Sequence, residues 1–389
     1  MGSSRTQIRK LGFDGAVDAD GHILEPADLW DRYIEAKYKP RALRLRTNPQ
    51  GVEYLELDGR PSKLFGAGRF GAFGSMGETR DTERRLEPSS YGRSAPFGAV
   101  DAKERRERIE AEGLDAAIIY PTLSLIYETE MNDPELVQAC TRAYNRFIVD
   151  WCKDSGGKLI PVAHLSLGDP EAAAKELERA VKDGCKGAFF SQFVMTRKPH
   201  AHPDHDPVFA KAQELDVPLG IHVSLEPLWA LPGRYDYKYM RGQYYYLNVT
   251  AADAIRHAFT SFFQFGTFDK FARLKLVLLE AGASWISYWL DRLDAVWHSP
   301  LGRTLTLKEK PSYYFQRQCW VSADPDEQGL PAMVELCGAD KFFWASDFPH
   351  PDHAGNYIEE VEKFAAKLSE PARRKVLGEN VLKVYGVAQ

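Results

Sequence analysis

Residues 217–223 read VPLGIHV, a short and almost entirely apolar run that contains one histidine near its end. A run of this length and composition is typical of a strand buried on both faces of a parallel sheet. Other runs of the same kind occur along the chain, and helical patterns lie between most of them. Together they predict eight strands, at residues 15–20, 114–121, 158–167, 186–191, 217–223, 274–280, 317–323 and 341–347.

The segments between these runs carry apolar residues at helical spacing, and Asp169-Pro170 supplies a cap and a first turn for one of them. Repeated alternation of strand and helix predicts the α/β class and a (β/α)8 TIM barrel. An open doubly wound sheet normally has a glycine-rich phosphate turn after its first strand, and no such turn is present. The predicted helices cover residues 134–153, 170–182, 206–215, 252–265, 285–297 and 328–337.

The 389 residues exceed the roughly 250 of a simple barrel, so we expect one domain over residues 1–389 with an insertion. Residues 41–100 interrupt the alternation after the first strand. They contain a predicted hairpin around residues 52–59 and then an irregular stretch, which we interpret as a lid or a subunit contact. A second, aromatic-rich segment at residues 228–246 is consistent with a pocket wall or with a dimer contact or satellite core.

Charge and composition exclude several classes of partner. The formal net charge is −5 and the basic residues are scattered, so we expect no nucleic-acid partner. No apolar run approaches the roughly 20 residues of a membrane span. The five cysteines form no C-x-x-C pair, which favours free, buried thiols in a reducing compartment. These features predict a cytoplasmic protein.

Ionisable residues end five of the predicted strands. Because the carboxyl ends of barrel strands form the active face, we expect these side chains to converge. Several acidic and imidazole groups in one cavity are costly unless they are paired or bound to metal, so the pattern predicts one divalent cation. The candidate residues are Asp20, His22, His164, His222, Glu280 and Asp347.

The type of donor limits the choice of metal. Imidazoles and carboxylates suit Zn²⁺, Mn²⁺ or Fe²⁺, with Zn²⁺ as the first choice. Asp347 is a candidate to orient a metal-bound water or to carry a proton. His164 is expected to bind a substrate carboxylate or, alternatively, to bond neighbouring backbone. His350 and His353 are candidates to orient a ligand, and the cluster at residues 200–205 is expected at the surface or rim.

Six stretches resemble the decarboxylase-related branch of the amidohydrolase superfamily, known as amidohydrolase 2, which includes 2-amino-3-carboxymuconate semialdehyde and γ-resorcylate decarboxylases. They follow one another in the family's order and span nearly the whole chain. They are VDADGHILEP (17–26), YPT (120–122), AYN (143–145), LGIHVS (219–224), LEAGASW (279–285) and WASDFPHPD (344–352).

The resemblance implies that Asp20, His22, His222 and Asp347 are metal ligands. The family's first-strand His-x-His is Asp20-Gly21-His22 here, and an oxygen ligand at that position has precedent among related decarboxylases. The family's sixth strand often carries a catalytic histidine, whereas this chain has Glu280. Glu280 is therefore a candidate fourth ligand, an acid/base, or a partner that orients a ligand.

Three functions remain open on these grounds. The leading prediction is non-oxidative decarboxylation of a small aromatic or unsaturated carboxylic acid. The second is metal-dependent hydrolysis or hydration of a related carbonyl substrate, and the third is a binding protein without metal. The chain has neither a G-x-S-x-G elbow nor a Walker loop, which argues against serine hydrolases and phosphoryl transfer. The expected partners are a small carboxylate substrate and, by the resemblance, further copies of the chain.

Overall fold

The computed structural model describes residues 8–68, 70–77, 90–91, 95–227, 229–230, 243–353 and 355–387. Parts of the predicted irregular stretch at 66–98 and most of the aromatic segment at 228–246 therefore lie outside the described residues. No helix in the described part is both long and apolar enough to cross a membrane. All five cysteines are free and buried, as predicted.

The strands of the described residues are β1 (Val17–His22), β2 (Arg44–Thr47), β3 (Glu53–Leu57), β4 (Arg60–Pro61), β5 (Ala116–Tyr120), β6 (Leu159–Pro161), β7 (Ala163–His164), β8 (Ala188–Ser191), β9 (Pro218–His222), β10 (Lys275–Leu278), β11 (Cys319–Ala323) and β12 (Phe342–Trp344).

The α-helices of the same residues are α1 (Leu29–Tyr33), α2 (Ala102–Glu112), α3 (Tyr127–Glu130), α4 (Pro134–Cys152), α5 (Pro170–Asp183), α6 (Asp206–Leu215), α7 (Gln243–Gln264), α8 (Thr267–Lys270), α9 (Ile286–His298), α10 (Pro311–Gln318), α11 (Leu330–Cys337), α12 (Tyr357–Ala365), α13 (Glu370–Arg374) and α14 (Asn380–Tyr385).

Parallel pairing follows the order β1-β5-β6 and then β7-β8-β9-β10-β11-β12. β6 and β7 are two halves of the third barrel strand, and they carry the chain from one set of paired strands to the next. After β12, the Asp347 nitrogen donates to the Asp20 carbonyl at 2.9 Å and the His22 nitrogen donates to the Phe348 carbonyl at 2.7 Å. The eighth strand thus returns to the first, and the predicted (β/α)8 TIM barrel is confirmed.

Several predicted strands have different boundaries in the structure, and the first lies two residues later, at Val17–His22. The strand at residues 158–167 is interrupted at Val162, directly after Pro161, which has no amide hydrogen for a continuous ladder. The sixth and eighth strands end at Leu278 and Trp344, before the predicted ends at Glu280 and Asp347. Both of those residues have a φ of 52°, a left-handed conformation that cannot continue a strand.

Helix α7 begins at Gln243, nine positions before the predicted start at residue 252. Tyr244–Tyr246 therefore belong to a helix and not to an irregular insertion. Helix α10 extends to Gln318, so the seventh strand starts later than the predicted residue 317. The other predicted helices are confirmed to within two residues at each end.

The predicted hairpin lies between β1 and β5 and consists of the antiparallel strands β2, β3 and β4. Asp58 and Gly59, which join β3 to β4, have positive φ values of 53° and 71°, as a tight hairpin turn requires. Arg41 holds this small sheet to the barrel through Asp58 at 2.6 Å and Asp133 at 2.8 Å. The insertion is therefore docked beside the loop that follows the second barrel strand.

Candidate metal centre

The first barrel strand carries two of the predicted ligands to the centre of the barrel mouth. Asp20 and His22 lie two residues apart and are fully buried, with 3.2 Å between His22 Nε2 and Asp20 Oδ1. His22 Nδ1 lies 2.6 Å from the Pro121 carbonyl oxygen. Because a carbonyl accepts hydrogen bonds, Nδ1 carries the hydrogen and Nε2 keeps a free lone pair for a cation.

The fifth strand brings a second imidazole to the same point. His222 Nε2 lies 3.3 Å from Asp20 Oδ1, and His222 Nδ1 lies 2.6 Å from the Val223 carbonyl oxygen. By the same reasoning, Nδ1 of His222 carries the hydrogen and Nε2 keeps its lone pair for a cation. Glu280 Oε2 is 3.3 Å from His222 Nδ1, so Glu280 faces the nitrogen that points away from Asp20.

The eighth strand supplies Asp347. Its Oδ1 lies 3.2 Å from His22 Nε2 and 2.8 Å from His350 Nδ1. His350 in turn bonds the Thr122 hydroxyl through Nε2 at 2.9 Å, so the Asp347 carboxylate is approached from two histidines. Two groups of possible ligand atoms share His22, the first with Asp20 and His222 and the second with Asp347 and His350.

The backbone at Glu280 and Asp347 is in an unfavourable conformation. Each has a φ of 52°, which costs free energy for a residue other than glycine and is most often kept where function requires it. The Glu280 nitrogen donates to the Ser322 hydroxyl at 3.2 Å, and the Asp347 nitrogen donates to Asp20. These bonds hold both strained residues at the ends of their strands.

The electrostatics of the cluster fit a cation. Five buried atoms lack a hydrogen bond of suitable geometry: Asp20 Oδ2, His22 Nε2, Glu280 Oε2 and both carboxylate oxygens of Asp347. Burial raises the pKa of Asp347 and of Glu280 well above the ordinary range, and nearby acids, Asp352 first among them, raise both further. Crowded carboxylates without hydrogen bonds are costly, and a divalent ion would satisfy them.

Asp20 behaves differently from the other two acids. Burial raises its pKa, but the His222 and His22 imidazoles outweigh burial and bring the pKa below its ordinary value. Burial lowers the pKa of His350 well below the ordinary value, helped by His22 and His222. His350 is therefore neutral at pH 7. The Thr122 hydroxyl donates to the Ile23 carbonyl, so His350 Nε2 donates to Thr122 and its Nδ1 is left as an acceptor that faces Asp347.

The amidohydrolase family model matches residues 103–387, which is most of the chain. The chain belongs to the amidohydrolase family. The predicted resemblance is thus confirmed, although residues 17–26, which carry two of the candidate ligands, precede the matched range.

Two curated relatives of this amidohydrolase are γ-resorcylate decarboxylases. The protein from Polaromonas sp. is 26% identical over 71% of this chain and 85% of its own length. The protein from Rhizobium sp. is 24% identical over 79% of this chain and 94% of its own length.

Solved structures share the fold over almost the whole chain. An amidohydrolase from Mycobacterium avium subsp. paratuberculosis has a TM-score of 0.79 at 21% identity, covering 96% of this chain and 98% of its own. The 5-carboxyvanillate decarboxylase from Novosphingobium aromaticivorans, solved with manganese and a nitrobenzoic acid, has a TM-score of 0.69 at 19% identity, covering 99% and 100%.

His164, a predicted site residue, lies outside the candidate ligand groups of the described residues. Its ring stacks on Phe189 with centroids 4.6 Å apart, and its Nδ1 bonds the Tyr127 hydroxyl at 2.7 Å. Its Nε2 is 3.4 Å from Glu128 Oε2. The alternative of a ring bonded to neighbouring backbone does not apply, because its partners are side chains.

The structure corrects the expectation for the histidines at residues 200–205. His200 and His205 are buried, not at the surface, whereas His202 is partly exposed. His200 Nε2 lies 2.9 Å from the Ser191 carbonyl, and His205 Nδ1 lies 2.7 Å from the His200 carbonyl. Both rings satisfy backbone oxygens of the fourth strand and its loop, which explains their burial without a metal.

Two further buried acids, Asp18 and Glu25, lie near the metal cluster and were not among the predicted site residues. Asp18 accepts hydrogen bonds from the Ser346 nitrogen at 2.9 Å and the Ser346 hydroxyl at 2.6 Å. Burial raises the pKa of Asp18 above its ordinary value, although the Ser346 hydroxyl and then the buried Arg105 guanidinium act to lower it. Glu25 is fully buried and accepts three backbone N–H groups between residues 122 and 124. The acidic residues flanking His22 in the stretch 17–26 were the available signal.

Proposed function

We propose that this amidohydrolase is a non-oxidative decarboxylase of an aromatic carboxylic acid, with one divalent metal ion held by Asp20, His22, His222 and Asp347. The observation that carries the proposal is the convergence of these four residues at the carboxyl ends of three barrel strands, where buried atoms of Asp20, His22 and Asp347 lack a hydrogen bond. Support for the reaction comes from the curated relatives, which are γ-resorcylate decarboxylases.

We propose Mn²⁺ as the ion, although the residue types alone make Zn²⁺ the first choice. Two carboxylates accompany two imidazoles, and oxygen-rich sites suit Mn²⁺. Two related structures, a 5-carboxyvanillate decarboxylase and a dihydroxybenzoic acid decarboxylase, contain manganese. When bound, the ion would hold the substrate's carboxylate and an adjacent oxygen and would offset negative charge in the buried site.

In this proposal Asp347 is the acid. Its carboxyl group delivers a proton to the ring carbon that bears the substrate's carboxylate. The bond from that carbon to the carboxylate then breaks, its electron pair stays with the ring, and CO2 leaves. No electrons are exchanged with a redox cofactor, and Asp347 recovers its proton from solvent. His350, 2.8 Å from Asp347 Oδ1, orients the carboxyl group.

For Glu280 we propose the role of a partner that orients His222. Glu280 Oε2 faces His222 Nδ1 at 3.3 Å, whereas the free Nε2 of His222 faces Asp20. The Val223 carbonyl accepts the Nδ1 hydrogen, and the Glu280 side chain beside it restricts the orientation of the ring. The role of a direct ligand would require Glu280 to turn away from this contact.

The remaining predictions concern assembly and location. We propose that residues 41–100 contribute to a subunit contact or a lid, since the docked hairpin leaves the barrel after the first strand. A homo-oligomer and a cytoplasmic location also stay predictions. The mass of the protein in solution, measured with and without the hairpin residues 44–61, tests whether the chain forms an oligomer and whether the insertion contributes to the subunit contact.

The proposed function is tested by metal analysis together with product analysis. We expect about one metal ion per chain in freshly purified protein, and CO2 release from hydroxybenzoates that is lost after chelation and restored by Mn²⁺. His222→Ala should lose the ion, whereas His298→Ala, at an exposed position at the end of α9, should keep it. Substrate consumption without CO2 would support hydrolysis or hydration instead, and metal-free protein with no gain on adding Mn²⁺ or Zn²⁺ would overturn both.

A further inference from the structure

A second buried polar group occupies the barrel mouth beside the metal cluster. Glu128, in the short helix α3, is buried, and its Oε2 accepts a hydrogen bond from the Ser191 hydroxyl at 3.1 Å. The same oxygen lies 3.4 Å from His164 Nε2, an atom that is buried without a hydrogen bond of suitable geometry. Helix α3 and the ends of strands β8 and β7 thus bring a carboxylate, a hydroxyl and an imidazole together.

The pairing of the strands places this group one strand away from the metal cluster. Ser191 is the register partner of His222, and Phe189 is the partner of both Gly220 and His164. Neighbouring strands are about 4.8 Å apart, and residues in register on parallel strands face the same side. Ser191 and His222 therefore project side by side into the mouth of the barrel.

Phe189 forms an apolar surface between the two polar groups. Its ring lies 4.6 Å from the His164 ring and 5.6 Å from the His222 ring, measured between centroids. Residues 189 and 191 lie on the same face of β8, so the Ser191–Glu128 contact lies next to this ring, toward the carboxyl end of the strand. A flat ligand held at the metal cluster would rest on Phe189 and extend toward Glu128.

The Glu128 carboxylate favours a ligand that donates a hydrogen bond. Among the described residues, His164 has a ring nitrogen 3.4 Å from the Glu128 carboxylate, and no Lys or Arg forms a salt bridge with it. No described residue donates to Glu128 Oε1. A carboxylate accepts several hydrogen bonds, so Glu128 Oε1 is available to a ligand. A ligand that donates to it would be bound more tightly, whereas a ligand carboxylate would be repelled.

We propose that Glu128 is a specificity-determining residue that accepts a hydrogen bond from a hydroxyl or amino substituent on the substrate ring, at the end remote from the metal cluster. This inference rests on the proposed function for the orientation of the ring. His164 and Ser191 position the Glu128 carboxylate. In this arrangement His164 does not itself bind the substrate's carboxylate.

The test compares 2-hydroxybenzoates that differ at position 4, which carries hydrogen, hydroxyl, amino or carboxylate. For the wild type as purified with its metal, we expect the 4-hydroxy and 4-amino acids to bind about tenfold more tightly than the unsubstituted acid, because a hydrogen bond to a charged group is among the stronger ones. The 4-carboxylate should bind least. Calorimetry gives the dissociation constants, and CO2 release gives kcat/KM for the same compounds.

Glu128→Gln is the main variant, since the amide has nearly the same size and still contacts Ser191. It should reduce the preference for the 4-hydroxy and 4-amino acids and should bind the 4-carboxylate more tightly than the wild type does, because the amide donates. Glu135→Gln makes the same charge change at an exposed position of α4 and should leave every ratio unchanged. A preference for hydroxyl without one for amine would restrict the subsite to phenols.

The two hypotheses fail in different measurements. Equal binding of the four acids by the wild type, or ratios unchanged in Glu128→Gln with its metal content and melting temperature intact, would overturn the inference while CO2 release still supports decarboxylation. If the ratios of the dissociation constants change in Glu128→Gln but no acid releases CO2, the Glu128 subsite is supported and the proposed decarboxylation is refuted.

Discussion

The main-chain nitrogen of Asp347 donates a hydrogen bond to the carbonyl oxygen of Asp20 at 2.9 Å. One backbone contact thus ties the end of the last barrel strand to the first, and it also sets the distance between two carboxylates of the metal cluster. The left-handed backbone of Asp347 turns its side chain toward His22, 3.2 Å away. The contact that closes the barrel therefore also brings Asp347 next to Asp20 and His22.

Asp347→Asn should reduce kcat by at least about 100-fold, the lower range for loss of a positioned acid or base. The amide has the shape of the carboxyl group but cannot deliver a proton to the ring. Steady-state kinetics on an accepted hydroxybenzoate measures the loss, and the thermal midpoint checks the fold. Asp340→Asn, which removes an exposed partner of Lys375, should retain the wild-type rate. Wild-type turnover by Asp347→Asn would remove this residue from the mechanism.

Glu280→Gln should lower kcat/KM at least tenfold, on the order of 1.4 kcal/mol of transition-state stabilisation. The Val223 carbonyl already accepts the Nδ1 hydrogen of His222, so the amide removes the acidic group beside the ring without breaking that bond, and metal binding should also weaken. Kinetics and a metal-binding titration give the two readouts, with Glu335→Gln on the exposed face of α11 as the matched control. If activity and metal affinity are both unchanged, Glu280 has a packing role alone.

Asp18→Asn should destabilise the fold by about 2 kcal/mol, in the range for weakening hydrogen bonds to a buried charge. Asp18 accepts two bonds from Ser346, next to Asp347, and the variant leaves the buried Arg105 guanidinium less well compensated. Denaturant unfolding measures the change, and Asp14→Asn at an exposed position serves as control. Equal midpoints for the wild type and Asp18→Asn would show that this buried contact contributes little.

The contact that docks the hairpin should depend on pH. A hydrogen bond from Arg41 is the largest cause of a pKa for Asp133 below its ordinary value. Because the folded-state pKa is depressed, the stabilisation is fully present above the unfolded pKa of about 4 and is lost as pH falls through the folded value.

Asp133→Asn isolates this charge, because asparagine caps a helix about as well as aspartate. We expect the wild type to exceed the variant in urea midpoint at pH 7 and the difference to shrink steadily as pH falls from 5 to 3. Asp154→Asn, an exposed change at the end of the same helical region, should show no such trend. A difference that grows on acidification would contradict the assignment.

Much of the barrel was predictable because strand burial and helix amphipathicity are local properties with fixed periods. The runs ending at Asp20, His222 and Asp347 could be located in this way, and the position of each at a carboxyl end then implied a common site. The errors lie at boundaries set by the backbone, such as the break after Pro161 and the early strand end before Glu280.

The sequence by itself determined the order of strands and helices, the donor types and the expectation of a cation, since each depends on neighbouring residues and on the chemistry of their side chains. The tertiary structure decided which atoms face one another. The approach of Glu280 to His222, of Ser346 to Asp18 and of Glu128 to Ser191 joins segments distant in the chain. Such contacts depend on how strands pack around a closed barrel, and no local pattern encodes that geometry.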